Sequence, residues 1–298
     1  MKNTLFLLTL SVFSASVIAA QEQRAPQASD ARTRDIYVSV VDSKGTPATG
    51  LTAGDFTVRE DGQAREVLRA TAATEPLDVV LLVDDSQAAT RAIPYLRDAL
   101  PKFIDKLQGK AAIGVVTFGE RPTSMVERTT DAAALKKGVN RIFARPGSGA
   151  YLLEAIREVS QGFQKREPTR PHLVAIAIEG VEFSNLQYEQ VLDALHESGA
   201  TLHVLAVGTP SGSMSDEIRN KNVVMDRGTS ETGGRRDQLL SELAIPDGLA
   251  KVADELLNQY VVTYGRPDKL IPPEKVEVTV KKPGLTVRAR TRLPDGTK

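Results

Sequence analysis

Apolar positions in this chain follow two rhythms. Val79 to Val83 is an uninterrupted aliphatic run that ends at Asp84-Asp85-Ser86. A run of this kind predicts a strand buried on both faces, at the centre of a parallel sheet. Ala112–Phe118, Leu173–Ile178 and Thr201–Val207 repeat the pattern. Between them, apolar residues recur every three or four positions. Ile93, Leu96, Leu100, Phe103, Ile104 and Leu107 predict a helix within 87–110, interrupted at Pro94 and Pro101. Leu152, Ile156, Val159 and Phe163 predict a second, and Val191, Leu192 and Leu195 a third. A further helix opens at Thr130 with a hydroxyl cap and an acidic first turn. Thr123–Glu127 reads as an edge strand. Residues 239–257 read as a helix broken near Pro246, and Tyr260–Tyr264 as the last strand of the sheet. Residues 209–236, rich in Gly, Ser, Asn and charge, predict a long loop over the carboxyl edge. Strands alternating with helices give the fold class: α/β, a doubly wound, mostly parallel, Rossmann-like sheet.

The second rhythm has period two and belongs to the flanks. Ile36–Val41, Phe56–Glu60 and Ala64–Thr71 alternate as strands, with a hairpin signal at Asp61-Gly62. Val276–Val280 and Leu285–Arg290 alternate around Pro283-Gly284 and read as a hairpin. Each flank has too few strands to stand alone. They are expected to combine into one small β-sandwich-like module, made of 35–75 and 267–298, with the α/β domain over 76–266 inserted between them.

Met1-Lys2-Asn3, an apolar stretch from Thr4 to Ile18 and small residues at Ala19-Ala20 have the plan of a secretory signal peptide over 1–20. An uncleaved anchor is the alternative. Residues 21–34 read as a flexible leader. The expected address is the periplasm or the medium, with no transmembrane segment in the mature chain. Lys+Arg and Asp+Glu both number 38, so the net charge is zero and a nucleic-acid partner is not expected. With no cysteine, disulfides, thiolate nucleophiles and Cys-based zinc sites are excluded.

Ligands of a doubly wound sheet bind at the carboxyl ends of its strands. Asp84, Asp85 and Ser86 occupy that end, and clustered oxygens suit a hard divalent cation or a polar partner group. His172, His196 and His203 have no ligand spacing and read as packing or surface residues, His203 near the sheet surface. A Ser/His/Asp triad has no Gly-x-Ser-x-Gly elbow to support it, and no Walker loop is present.

The order and spacing of these elements resemble the von Willebrand factor type A domain. The flanking Gly50-Leu51-Thr52, Asp55-Phe56, Glu60-Asp61-Gly62, Gln259–Tyr264 and Pro283–Arg290 look like those of the type A-related proteins of Acidobacteria. The resemblance implies a metal-ion-dependent adhesion site, Asp-x-Ser-x-Ser with a later Thr and Asp. Asp84 and Ser86 match it. Ala88 stands where the second Ser is expected, Ala150 where the Thr is expected, and Glu179 where the Asp is expected. The metal set is thus Asp84, Ser86 and Glu179, with two hydroxyl ligands gone. Magnesium demands near-octahedral oxygen geometry, so no cofactor is expected and magnesium is the alternative. Asp84 and Ser86 would then act as framework, satisfying loop amides and capping the next helix.

The resemblance therefore implies an exported, non-enzymatic protein that binds another protein. The expected surface spans Asp84–Gln87, Ser148–Tyr151, Glu179–Asn185 and the 209–236 loop, with Asp84, Asp85, Ser86, Gln87, Ser148, Tyr151 and Glu179 as its contact residues. A magnesium-dependent adhesion module and a structural envelope subunit are the alternatives.

Overall fold

A computed structural model describes residues 33–210, 212, 215–266 and 273–292. The expected signal peptide, nearly all of the leader and most of the 267–273 linker lie outside the described residues.

The alternating N-terminal segment forms β1 (Thr33–Val41), β2 (Phe56–Glu60), β3 (Gln63–Arg65) and β4 (Val67–Ala72). Asp61 and Gly62 both take positive φ, 48° and 79°, which is the turn geometry that links β2 to β3. Gly62→Ala should cost about 1 kcal/mol, because a side chain is strained in the left-handed region; urea unfolding would measure it. The stretch expected as one strand over 64–71 divides at Glu66: β3 pairs with β2, while β4 joins another sheet.

The α/β domain starts with β5 (Leu77–Val83), followed by α1 (Ile93–Leu107), β6 (Ala111–Thr117), β7 (Thr123–Thr129) and α2 (Ala132–Val139). Pro94 lies in the first turn of α1, where its missing N–H is harmless, and Pro101 lies inside the helix. Asp131, not Thr130, caps α2, accepting from the amides of Ala133 and Ala134. Next come α3 (Leu152–Arg166), β8 (Pro171–Ile178), α4 (Tyr188–Glu197) and β9 (Thr201–Val207).

The expected long loop over 209–236 is instead mostly α5 (Asp216–Thr232). Ser215 caps it through the Ile218 amide, and Asp216 and Glu217 fill its first turn. Polar composition hid an apolar stripe, Ile218, Val224 and Met225, that packs inward. A short β10 (Arg236–Leu239) follows, parallel to β9, then α6 (Ile245–Leu257), which Pro246 starts rather than breaks.

The six-stranded sheet has the order β10-β9-β8-β5-β6-β7, with only β7 antiparallel. Leu77, Val79, Leu81 and Val83 of β5 point into one core with α1, α2 and α6, while Val80 and Leu82 point into the other with α3, α4 and α5. Asp78, at the entry end of β5, is buried and paired with Arg128 at 2.6 Å and Arg166 at 3.7 Å. The chain runs outward through β6 and β7, then returns to β8 on the other side of β5. The switch point therefore lies between the carboxyl ends of β5 and β8.

β11 (Tyr260–Gly265) is not the last strand of this sheet. It lies antiparallel between β1 and β4, in a four-stranded sheet of order β13-β1-β11-β4. β12 (Val276–Val280) and β13 (Thr286–Ala289) do not form a hairpin with each other: β12 pairs with β2 and β13 with β1. They bridge the four-stranded sheet and the three-stranded β12-β2-β3 sheet. Ile36, Val38, Phe56, Val58, Val262, Tyr264, Val276 and Val278 fill the space between the two sheets. Both flanks of the α/β domain thus contribute to one sandwich.

Candidate functional site

The strand β5 ends where its own side chains meet backbone amides. Asp84 is fully buried; one carboxylate oxygen accepts from the Ser86 amide at 2.9 Å and the other from the Ile178 amide at 3.0 Å. The Ser86 hydroxyl bonds the same carboxylate. Burial pushes the Asp84 carboxyl up, against these hydrogen bonds. Asp85 turns the other way. It accepts from the Gly119 amide at 2.6 Å and the Arg145 guanidinium at 2.8 Å, and its carbonyl accepts from the Arg145 amide. Gly119 is obligatory there, since a Cβ would lie 2.6 Å from Asp85 and from the Ser86 nitrogen.

Asp84, Asp85 and Ser86 were expected on a ligand-binding surface, yet all three are buried. Their side-chain oxygens are engaged by loop amides, by the Arg145 guanidinium and by one another. That matches the framework role, except that Ser86 does not cap the turn after it through its side chain. Gln87 is exposed and accepts from the Gly147 amide at 2.7 Å. Ser148 donates its hydroxyl to the Arg145 carbonyl. The Gln87 amide also donates to the Ser148 carbonyl at 3.4 Å, which draws Gln87 and Ser148 together across 61 residues.

Tyr151 precedes α3 and packs edge-to-face on Phe183 at 6.0 Å. Gly149 lies under the same ring, where a Cβ would come within 2.5 Å. Gly119, Ser148, Tyr151 and Phe183 line a shallow cleft of about 250 Å³. Ala150 and the segment after β8 are stitched by two hydrogen bonds, to the Val181 carbonyl and from the Phe183 amide, each 2.8 Å. Glu182 and Ser184 take the first amides of α3, those of Leu152 and Leu153. Burial raises the Glu182 carboxyl to about 7; Lys221 pulls it down and Asp84 pushes it further up.

Glu179 directly follows β8. Its carboxylate faces Lys221 of α5 at 3.5 Å. The donor set does not fit a magnesium ion. Both Asp84 oxygens are engaged by amides, the Ala88 methyl lies 2.5 Å from where a Gly180 Cβ would be, and Ala150 is buried in the apolar core. Among the described residues no three His, Asp or Glu side chains are grouped to hold a metal.

The histidines lie elsewhere. His172 is in register with Val79, five residues before Asp84, so about 16 Å of strand separates them at about 3.3 Å per residue. His203, expected near the sheet surface, is fully buried with its Nε2 3.3 Å from His172 Nδ1. His196 pairs with Glu231 at 2.9 Å. A triad through Ser86 has no geometry.

Glu182 and Phe183 fall in the segment expected at this edge and Lys221 in the expected 209–236 loop, whereas Arg145 was missed. Arg145 carries no local signal. Lys221 was legible only through the helix start at Ser215-Asp216-Glu217 that the loop reading overlooked.

The family model of the von Willebrand factor type A domain matches residues 78–227, half of the chain. A UPF0353 protein of Mycolicibacterium paratuberculosis is 27 % identical over 194 residues, 60 % of this chain and 55 % of that protein. The match thus spans about half the length of that curated relative. A von Willebrand factor type A structure from Catenulispora acidiphila superposes with a TM-score of 0.50 at 13 % identity, covering 91 % of this chain and 76 % of that one. Proximal thread matrix protein 1 from the mussel byssus gives 0.50 at 12 % identity, covering 75 % and 50 %. With the parallel sheet, the switch point at Asp84 and this match in agreement, the chain belongs to the von Willebrand factor type A domain family.

Proposed function

We propose that this protein is an exported, non-enzymatic interaction module that binds another protein at the carboxyl edge of its sheet without a bound metal. Von Willebrand factor type A domains are interaction modules. The carrying observation is the apolar exposure of the edge loops: Val181 is 62 % exposed, Leu240 77 % and Leu243 70 %, and Phe183, two residues after Val181, packs edge-to-face on Tyr151. The 240–243 loop reaches the turn after Ser86 through Arg91 and Glu242 at 3.7 Å. Clustered apolar side chains on a polar surface mark contact sites. The lost hydroxyl ligands support a contact that does not run through magnesium. The polar-start, apolar N-terminal stretch supports export. Among the described residues no helix is long and apolar enough to cross a membrane.

A photo-crosslinking residue at Phe183 or Leu243 should yield the same adduct in cells, unchanged by EDTA. Leu68 on β4, also exposed, serves as the control and should yield none. Adducts only at Leu68 would overturn the reading, and an EDTA-sensitive adduct would favour the magnesium-dependent alternative. N-terminal sequencing of the extracellular or periplasmic fraction should start near residue 21.

A further inference from the structure

Helix α5 carries a cation to the end of the sheet where carboxylates converge. The Lys221 side chain is only 5 % exposed, and its ammonium lies 3.5 Å from Glu179. Glu182 is also buried, and its carboxyl feels both Lys221 and Asp84. Asp84, Glu179 and Glu182 therefore gather around the switch point, and negative charge accumulating in a poorly solvated place is unfavourable unless a cation neutralises it.

We propose that the Lys221 ammonium is the built-in cation of this domain, neutralising the carboxyl edge in place of the divalent ion that the family motif would hold. The residue changes agree with one another. A divalent ion needs a nearly complete oxygen shell, whereas an ammonium needs only a few acceptors. Methyl groups at Ala88 and Ala150 remove two donors that a metal would need and an ammonium does not. Glu179, one methylene longer than aspartate, reaches sideways to α5. The tether matters too: an ammonium on a helix is present at fixed stoichiometry, whatever the metal concentration outside the cell. It also leaves no open coordination position for a partner carboxylate. This goes beyond the proposed interaction surface and stands without it.

The test is thermal unfolding of the full chain with no partner present, after chelation and then with 10 mM manganese or magnesium, a concentration of about the order that weak exported sites need. Wild-type Tm should move by less than about 1 °C on adding metal. Lys221→Met, which keeps the length and removes the charge, should lower Tm by at least about 5 °C in chelated buffer. Metal should not return that loss, because the two missing hydroxyls leave a divalent ion's oxygen shell incomplete. The double variant Lys221→Met with Glu179→Gln removes the charge and its partner together. It should stay within about 2 °C of wild type and ignore metal. A wild type stabilised by metal overturns the proposal. So does a single variant of unchanged Tm, a loss that metal recovers, or a double variant as destabilised as the single one. If the single variant fails to fold, a double variant that folds supports the charge role, and one that also fails assigns Lys221 to packing and overturns it.

Discussion

Acidification from pH 7 to pH 5 should remove about 2 kcal/mol of folding stability through His203 alone. The ring is completely buried between the sheet and the sandwich. Burial, and then Arg235 and Arg288, lower its pKa from 6.5 to about 3. The folded chain refuses a proton that the unfolded chain accepts. Stability is therefore full above pH 6.5 and falls as the pH drops toward 3. By pH 4 the loss should reach about 3 kcal/mol. His172, whose Nδ1 faces His203 Nε2 at 3.3 Å, is lowered for the same reason, burial first and His203 second, and adds to the slope. One ring donates to the other, so both stay neutral. Urea unfolding at pH 7, 6 and 5 measures the effect. His203→Gln keeps a hydrogen-bonding head and removes the titration, so its curve should be flatter by about 2 kcal/mol over this range. An equally steep variant would assign the acid sensitivity to other groups.

Glu255→Gln should destabilise the protein by about 3 kcal/mol. Glu255 of α6 is 1 % exposed, and one of its oxygens serves both Arg235 at 3.3 Å and Arg288 at 3.2 Å. Arg288 belongs to β13 of the sandwich, while Arg235 stands just before β10 of the α/β sheet. Neutralising the shared carboxylate leaves two guanidinium groups in a confined place, beside a histidine that already avoids charge. Arg235 keeps Asp237 at 2.7 Å, so Arg288 loses more. Replacing Glu255, Arg235 and Arg288 together by leucine should recover most of the loss, since a buried ionic cluster costs desolvation that apolar residues do not. A Glu255→Gln protein within 1 kcal/mol of wild type would show that the cluster carries little.

The α/β sheet was legible because its strands are continuous apolar runs, and the hand of their connections leaves few other arrangements. Tyr260–Gly265 was misplaced for the same reason: an apolar run buried on both faces looks identical in either sheet, and only its partners decide. β12 and β13 deceived through the turn at Pro283-Gly284, whose chemistry fits a bridge between two sheets as well as a hairpin. At the site, Asp84, Ser86 and the two alanines were legible by position. Their burial was not, because it depends on amides supplied by Ile178 and Gly119, which lie 94 and 34 residues away. Lys221 was hidden by composition: a helix with a narrow apolar stripe reads as polar throughout when its caps are overlooked.

The sandwich's make-up also fixes an order of events during synthesis. β1 finds its neighbours only in β11 and β13, and β2 finds its second neighbour only in β12, some 200 residues later on the ribosome. The α/β domain is contiguous and can fold while these early strands wait with open edges. Those edges are the nascent chain's exposure to mispairing until β12 and β13 emerge. A chaperone that holds the first strands should therefore matter more for yield than one acting on the larger domain, and truncation before β12 should leave a folded α/β domain attached to an adhesive, half-built sandwich.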